Sequence, residues 1–245
     1  MLFVENVVGF ETSDTRDKMI EMLKGLNFAV LEFILSPVQF GIPYSRPRYF
    51  CWAKKQPVSF HHHFLSGNVI SSPDILFELS PREAPQCDYP KKCQPIERFL
   101  ELKSYFKENV ECRLTPMDSS NERIDDTVDQ YSVPLSVIQR WGSAMDIVYP
   151  DSIRCCCFTK SYCRYVKGTG SLLATATNNE KEGTCLEHLG LRFFTPREVA
   201  NLHSFPKHFE FPPNISLKQR YALLGNSVSI TVVASLLRYL FHEAS

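Results

Sequence analysis

Four polar side chains stand where strand-like runs begin or end. Glu5 and Asn6 leave the apolar stretch MLFV, so a carboxylate and an amide sit at the exit of what reads as a buried strand. α/β sheets place their sites at such ends. Arg46 and Arg48 flank Pro47 and set two guanidinium groups just ahead of a second apolar run, YFCWA. Taken singly, each group is ordinary: ENV is a tripeptide that chance supplies often, and SRPR can be a solvated rim.

Three other groups invite a chemical reading. His61, His62 and His63 suggest a metal. Three contiguous side chains do not converge readily on one ion, and no spaced Cys or Asp partner is evident, so the run reads as a solvated loop. Lys167-Gly168-Thr169-Gly170-Ser171 resembles a phosphate loop. Such a loop should open a helix and lead to an acidic residue on the next strand, whereas SLLATATNNEKEG offers neither. The nine cysteines are odd in number, contain no CxxC pair, and include the run Cys155-Cys156-Cys157. Neighbours at strand spacing point to opposite faces, so reduced thiols in a cytoplasmic or nuclear protein are expected.

The elements that must position these groups are legible in pieces. After an Asp/Ser-type cap, DTRDKMIEMLKGL (14–26) puts Met19, Met22, Leu23 and Leu26 at helical spacing and ends near Gly25-Leu26-Asn27. FAVLEFIL (28–35) reads as a strand broken by Ser36-Pro37, and residues 49–53 as another closed by Lys54-Lys55. Strand, helix and strand in alternation predict part of an α/β sheet with parallel strands. From 56 to 130 the pattern decays, with one helix expected over 97–106. Thr195-Pro196-Arg197-Glu198 is a capping box with proline at the first helical position, and Ser216 to Gln219 repeats the logic, with Gly225 at the helix exit. Ile230, Val233, Ala234, Leu237 and Leu240 form the stripe of a final amphipathic helix.

The chain has 27 basic and 27 acidic residues, so any basic surface must be local. No apolar run near 18 residues is evident, which speaks against a membrane span, and the opening lacks the basic region and cleavage site of a signal peptide. A length of 245 residues accommodates one large domain or two modest ones.

The order of the pieces is more specific than any one of them. ENV, GIPYSRPRYF (41–50), CFTKSY (157–162) with KGTGS, LRFFTPREVANLHSFPKHFEFP (191–212) and RYALLGNSVSITVVASLL (220–237) follow one another along the chain. This series resembles the C5-cytosine methyltransferases, and within them the animal tRNA (cytosine-5) methyltransferases, with CFTK and GTGS favouring the tRNA branch. The resemblance runs from residue 2 to about 241 and is thinnest between 56 and 130. It implies a Rossmann-like α/β methyltransferase sheet with a small, loop-rich target-recognition domain. Residues 1–55 would supply strands and a helix of the catalytic domain, 56–190 the variable and recognition region, and 191–245 helices returning to the catalytic domain.

The resemblance also implies a chemistry. A cysteine thiolate adds to carbon 6 of a flipped-out cytosine, and carbon 5 then takes a methyl group from S-adenosylmethionine. Glu5 looks like the carboxylate that holds ring nitrogen 3 and the exocyclic amine, with Asn6 buttressing the loop. Arg46 and Arg48 look like the pocket pair, one toward the base oxygen or sugar-phosphate and the other anchoring the loop. Asn226 and Ser227 match the segment that touches the cofactor, and Cys157, Phe158 and Thr159 match an RNA contact, unless that triplet is a plain strand.

The family's glycine loop and its Pro-Cys nucleophile are not among these 245 residues, where no cysteine follows a proline. The expectation is an N-terminally truncated product or isoform, inactive by itself, with an uncovered sheet edge and weak cofactor binding. The implied substrate is an anticodon-loop cytosine, position 38 of aspartate tRNA, with no metal and no obligate protein partner. A non-catalytic RNA-binding or regulatory isoform is the alternative, and a DNA cytosine-5 methyltransferase relative a weaker one.

Overall fold

The Ser13 hydroxyl accepts a hydrogen bond from the Arg16 N–H and starts helix α1, Asp14–Gly25. The helix ends where Asn27 takes a left-handed conformation, φ 60°, which asparagine tolerates better than most residues. The computed structural model describes residues 1–58, 60, 67–78, 92–101, 129–175 and 185–241. The described chain divides into two units, residues 1–94 with 228–245, and residues 95–227.

The first unit is built on a four-stranded sheet. Strands β1 (Leu2–Val7), β2 (Phe28–Leu35), β3 (Arg48–Lys55) and β4 (Val69–Ile70) lie in the order β1-β3-β2-β4. Both β1 and β2 pair antiparallel with β3, from Leu2 opposite Ala53 and from Phe28 opposite Lys55, whereas β4 runs parallel to β2. The all-parallel expectation is therefore corrected. The α1 crossover does leave β1 and β2 pointing the same way, but the chain after β2 turns back and inserts β3 between them. A single turn of 3₁₀ helix, Pro37–Phe40, makes that reversal, and Gly41 at φ 78° closes it. Such a left-handed position favours glycine.

Strand alternation then sorts two cores. Leu31, Phe33, Leu35, Phe50 and Trp52 face helix α6 (Ile230–Phe241, numbered in chain order with the helices below), which contributes Val232, Leu236, Tyr239 and Leu240. Val30, Tyr49, Cys51 and Ala53 face α1, which contributes Ile20 and Leu23. Met22 and Leu26, expected on the buried face, are 57% and 56% exposed. Similarly, of the stripe expected on α6 only Leu240 is buried; Ile230, Val233, Ala234 and Leu237 are half-buried, and the inward face is Val232, Ser235, Leu236, Tyr239 and Leu240. Thr231, Ser235 and Arg238 mark a polar side by their spacing, but Ser235 is buried, its hydroxyl donating to Thr231 O at 2.9 Å, so the inward face is turned toward that side. Strand β1 stands at the sheet edge. Its Phe3 ring stacks over Phe50 at 6.0 Å, while Leu2 and Val7 are exposed.

A buried polar cluster lies on the α1 face. Arg16 Nε donates to Glu32 Oε1 at 2.8 Å, the Arg16 Nη2 group also donates to Glu32, and Tyr49 Oη donates to Glu32 Oε1 at 2.6 Å. Beside it, burial pushes the Cys51 thiol from 9.0 to about 11. A thiol whose native value lies above its unfolded value favours the native state below pH 9, and that contribution is lost as pH rises toward 11. Unfolding free energy is expected to fall across this window, and Cys51→Ala should make the fall shallower in urea titrations. Native protein treated with iodoacetamide at neutral pH should keep Cys51 unmodified while exposed Cys185 reacts.

The second unit holds the 3₁₀ turn Ile96–Phe99 and helix α3 (Leu135–Trp141). Of the helix expected over 97–106, the described residues show only this turn, which ends in extended backbone at Leu100, and 102–106 lie outside the described residues. Strands β5 (Ile147–Val148) and β6 (Leu172–Leu173) pair in parallel. Helix α2 (Asp74–Glu78) belongs to the first unit. Helices α4 (Pro196–Leu202) and α5 (Leu217–Gly225) both start with the expected capping boxes. The segment before α4 is stitched into the second unit: Leu173 and Arg192 exchange backbone hydrogen bonds at 2.9 Å, and Phe193 N–H donates to Tyr131 O at 2.8 Å. Residues 191–227 therefore stay with 95–190, and only α6 belongs with the sheet. The unit boundaries do not coincide with the expected ones at 55 and 190.

Leu217–Phe241 is, by length and composition, apolar enough to cross a membrane, contrary to the reading of the sequence. It consists of two helices separated at Asn226–Ser229, and the second spends its apolar residues on the sheet core.

Gly225 is needed for close approach rather than for a left-handed helix exit. A Cβ there would lie 2.3 Å from Lys160 N and 2.5 Å from Thr159 C, both backbone atoms that cannot swing aside. Gly225→Ala is expected to destabilise by about 1–3 kcal/mol, seen as a lower urea midpoint.

Candidate active site

Glu5 and Arg48 meet on one face of the β1–β3 ladder. Glu5 lies opposite Phe50 and Arg48 opposite Val7, so the two are diagonal neighbours whose side chains emerge on the same side. Arg48 Nε stands 3.3 Å from Glu5 Oε1, and Arg48 Nη1 donates to Pro47 O at 2.8 Å. The guanidinium is thus oriented by its own loop while it faces the carboxylate. Asn6 alternates to the opposite face, where its Oδ1 accepts from the Val7 N–H at 2.9 Å. Arg46 is buried, and its backbone N–H donates to Ser36 Oγ at 3.1 Å. The cluster can accept a donor at Glu5 and hold an acceptor at Arg48, both partly open to solvent.

The remaining candidates belong to the second unit. Phe158 is buried, with its ring edge-on to Tyr162 at 4.8 Å and to Phe194 at 5.2 Å. Burial pushes the Tyr162 hydroxyl well up, and that hydroxyl donates to Ser171 O while accepting from Phe194 N–H. Thr159 N–H donates to Thr169 O at 2.9 Å, which ties the CFTK segment to GTGS. Gly170 has φ 145°, and a Cβ there would lie 2.6 Å from Phe158 and 2.8 Å from Tyr162. The glycine serves that aromatic packing, and the loop leads directly into β6. Cys157 is half-buried, with its Sγ against Phe158 O at 3.8 Å.

Asn226 caps α5 with an exposed side chain, and Ser227 Oγ donates to Leu224 O at 2.7 Å. These two offer at most peripheral polar contacts to a cofactor. With no glycine loop among residues 1–245, the residues present do not make a cofactor site by themselves. The run His61–His63 lies outside the described residues, and no group of three metal-ligating side chains occurs among those described. Sequence reasoning passed over Arg192, which is buried and grips Glu198 through both terminal nitrogens at 2.8 and 2.9 Å. An arginine inside the apolar run LRFF was the available signal.

A mixed sheet covered on its two faces by α1 and α6, with a carboxylate–guanidinium pair on the β1–β3 ladder and a separate loop-rich unit, places the chain in the α/β class. The chain belongs to the C-5 cytosine-specific DNA methylase family, whose sequence model matches residues 1–242. It is 37% identical to the human tRNA (cytosine(38)-C(5))-methyltransferase and 36% identical to the bovine one, in each case over 98% of this chain and 70% of the relative. A solved methyltransferase structure from Spodoptera frugiperda superposes with a TM-score of 0.73 at 31% identity, covering 98% of this chain and 66% of that one. The chain thus spans about two thirds of the length of the proteins it matches.

Proposed function

We propose that this chain is the base-holding part of a tRNA (cytosine-5) methyltransferase. The Glu5–Arg48 pair carries this reading, because a flipped cytosine presents a donor edge, the exocyclic amine, next to an acceptor, the carbonyl oxygen. Glu5 accepts from the amine and stabilises ring nitrogen 3 as charge develops. Arg46 and Arg48 divide the tasks of meeting the base oxygen or sugar-phosphate and anchoring the loop, while Asn6 supports the turn behind them. S-adenosylmethionine is the methyl donor the family implies, and Asn226 and Ser227 would offer polar contacts to its methionine end. Cys157 and Thr159 face the RNA, with Phe158 positioning them from the core. The names of the human and bovine relatives support cytosine 38 of a tRNA as the target; the resemblance to the tRNA branch extends this proposal to the anticodon loop of aspartate tRNA, in the cytoplasm or nucleus.

Residues 1–245 as an isolated polypeptide are proposed to be catalytically silent. Cys51 is fully buried and its thiol is held protonated, so it cannot replace a thiolate that must reach carbon 6 at about 3–3.5 Å. Transfer of labelled methyl from S-adenosylmethionine tests both statements, with tRNA and duplex DNA in parallel. The isolated polypeptide should label neither, and a form carrying a Pro-Cys nucleophile should label tRNA. Labelling by residues 1–245 alone would sink the claim of silence, and a preference for DNA would sink the substrate.

A further inference from the structure

The turn that follows CFT exposes a set of side chains that the base-holding site does not use. Lys160, Arg164, Tyr165 and Lys167 are exposed, while Tyr162 and Val166 between them are buried. Within this turn Cys163 takes a left-handed conformation, φ 65°. The local charge is one-sided: residues 152–179 hold four cations and no Asp or Glu, in a chain whose total charge is balanced. Among the described residues, none of the ion pairs involves Lys160, Arg164 or Lys167.

The turn is also held by its own hydrogen bonds. Tyr162 N–H donates to Thr159 O at 3.0 Å, Arg164 N–H to Ser161 O at 3.1 Å, and Thr169 Oγ1 to Tyr165 O at 2.5 Å. Its base is wedged against α5 at Gly225. The Arg164 guanidinium lies 5.3 Å from the centre of the Tyr165 ring, yet Tyr165 remains 55% exposed. An arginine stacked on an open aromatic ring, flanked by two lysines, has the composition of a surface that tracks a phosphate backbone and stacks an unpaired base.

We propose that the turn Lys160–Lys167 is an RNA-docking platform, in which Lys160, Arg164 and Lys167 meet backbone phosphates and Tyr165 stacks on an unpaired base. This rests on the proposed RNA substrate and adds to it a contact outside the cytosine pocket. The turn's own hydrogen bonds hold its backbone before binding, so less ordering entropy opposes it.

Fluorescence anisotropy of a labelled tRNA transcript, titrated with the full chain across a salt series, tests the assignment. Lys160→Ala with Lys167→Ala should flatten the slope of log K against log salt by about 1–2. Tyr165→Ala should weaken binding by about tenfold with little change in slope, and Tyr165→Phe should retain affinity. Lys18→Ala, on the exposed side of α1, is the control and should change nothing; unchanged thermal midpoints show that each variant folds. If the wild type binds tRNA and all the variants bind equally well, the platform is wrong and the substrate reading stands. If the wild type binds no tRNA, the substrate reading falls and the platform with it. If duplex DNA binds as tightly and loses as much affinity on each substitution, the surface is a general polyanion site and the RNA assignment is overturned.

Discussion

Glu198→Ala is expected to lower the unfolding free energy of the second unit by about 3–5 kcal/mol, because it breaks a buried ion pair by removing one partner. Glu198 has no solvent exposure and Arg192 is 4% exposed. The two carboxylate oxygens accept from both Arg192 terminal nitrogens, from Thr195 N–H at 2.8 Å and from Glu101 N–H at 3.2 Å. One substitution therefore removes the counter-charge of a buried guanidinium, opens the capping box of α4 and strips the acceptor from the Glu101 amide. Loss of a cap by itself would cost only about 1 kcal/mol, so the size of the effect separates the two roles. Urea titration reads it directly, and a loss below about 1 kcal/mol would show that Arg192 finds another acceptor. Replacing both members, Arg192→Met with Glu198→Leu, should be milder than Glu198→Ala, since no uncompensated charge stays buried.

Arg192 also shows where sequence reading stopped. The capping box at Thr195 was legible because every partner lies within four residues, and α1, β2 and β3 were legible for the same local reason. Read by itself that box accounts for the Glu198 carboxylate, yet a carboxylate has lone pairs for further donors, and the one that matters, Arg192, comes from a strand-like segment on the other side of the cap. The order β1-β3-β2 is likewise non-local: nothing within FAVLEFIL or RYFCWAKK states which neighbour each will pair with. The buried face of α6 was misleading for a different reason: Ser235 reads as a surface residue, yet its hydroxyl is satisfied by Thr231 O one turn back, so it can be buried against the sheet side. At the site, the order of motifs brought Glu5 and Arg48 into one reading, and their register confirms that they are neighbours. The burial of Phe158 could not be seen, because an aromatic residue beside Lys and Thr looks equally suited to RNA and to a core. Here it is Gly170 that settles the matter, its missing side chain leaving room for the Phe158 and Tyr162 rings.

In a form of the protein that carries a Pro-Cys nucleophile, Glu5→Gln is expected to reduce methyl transfer about a thousandfold while leaving the fold unchanged. The two halves of this statement have separate physical grounds. The Glu5–Arg48 pair is long, at 3.3 Å, and its members are 30% and 19% exposed; pairs of this kind contribute at most about 1 kcal/mol to stability. The thermal midpoint should therefore barely move. The reacting ring, in contrast, develops charge at nitrogen 3 as the thiolate adds, and an amide answers that charge much less well than a carboxyl held in place by a guanidinium. The loss should fall on kcat, because protein–nucleic-acid affinity rests largely on phosphate contacts and a single pocket residue contributes little to it. Arg48→Lys keeps the positive charge but loses the planar fork that both faces Glu5 and donates to Pro47 O. It should share much of the kcat defect at an unchanged thermal midpoint, whereas a purely electrostatic role for Arg48 would leave the lysine variant active. Activity of Glu5→Gln within tenfold of the wild type would remove Glu5 from the reacting ring.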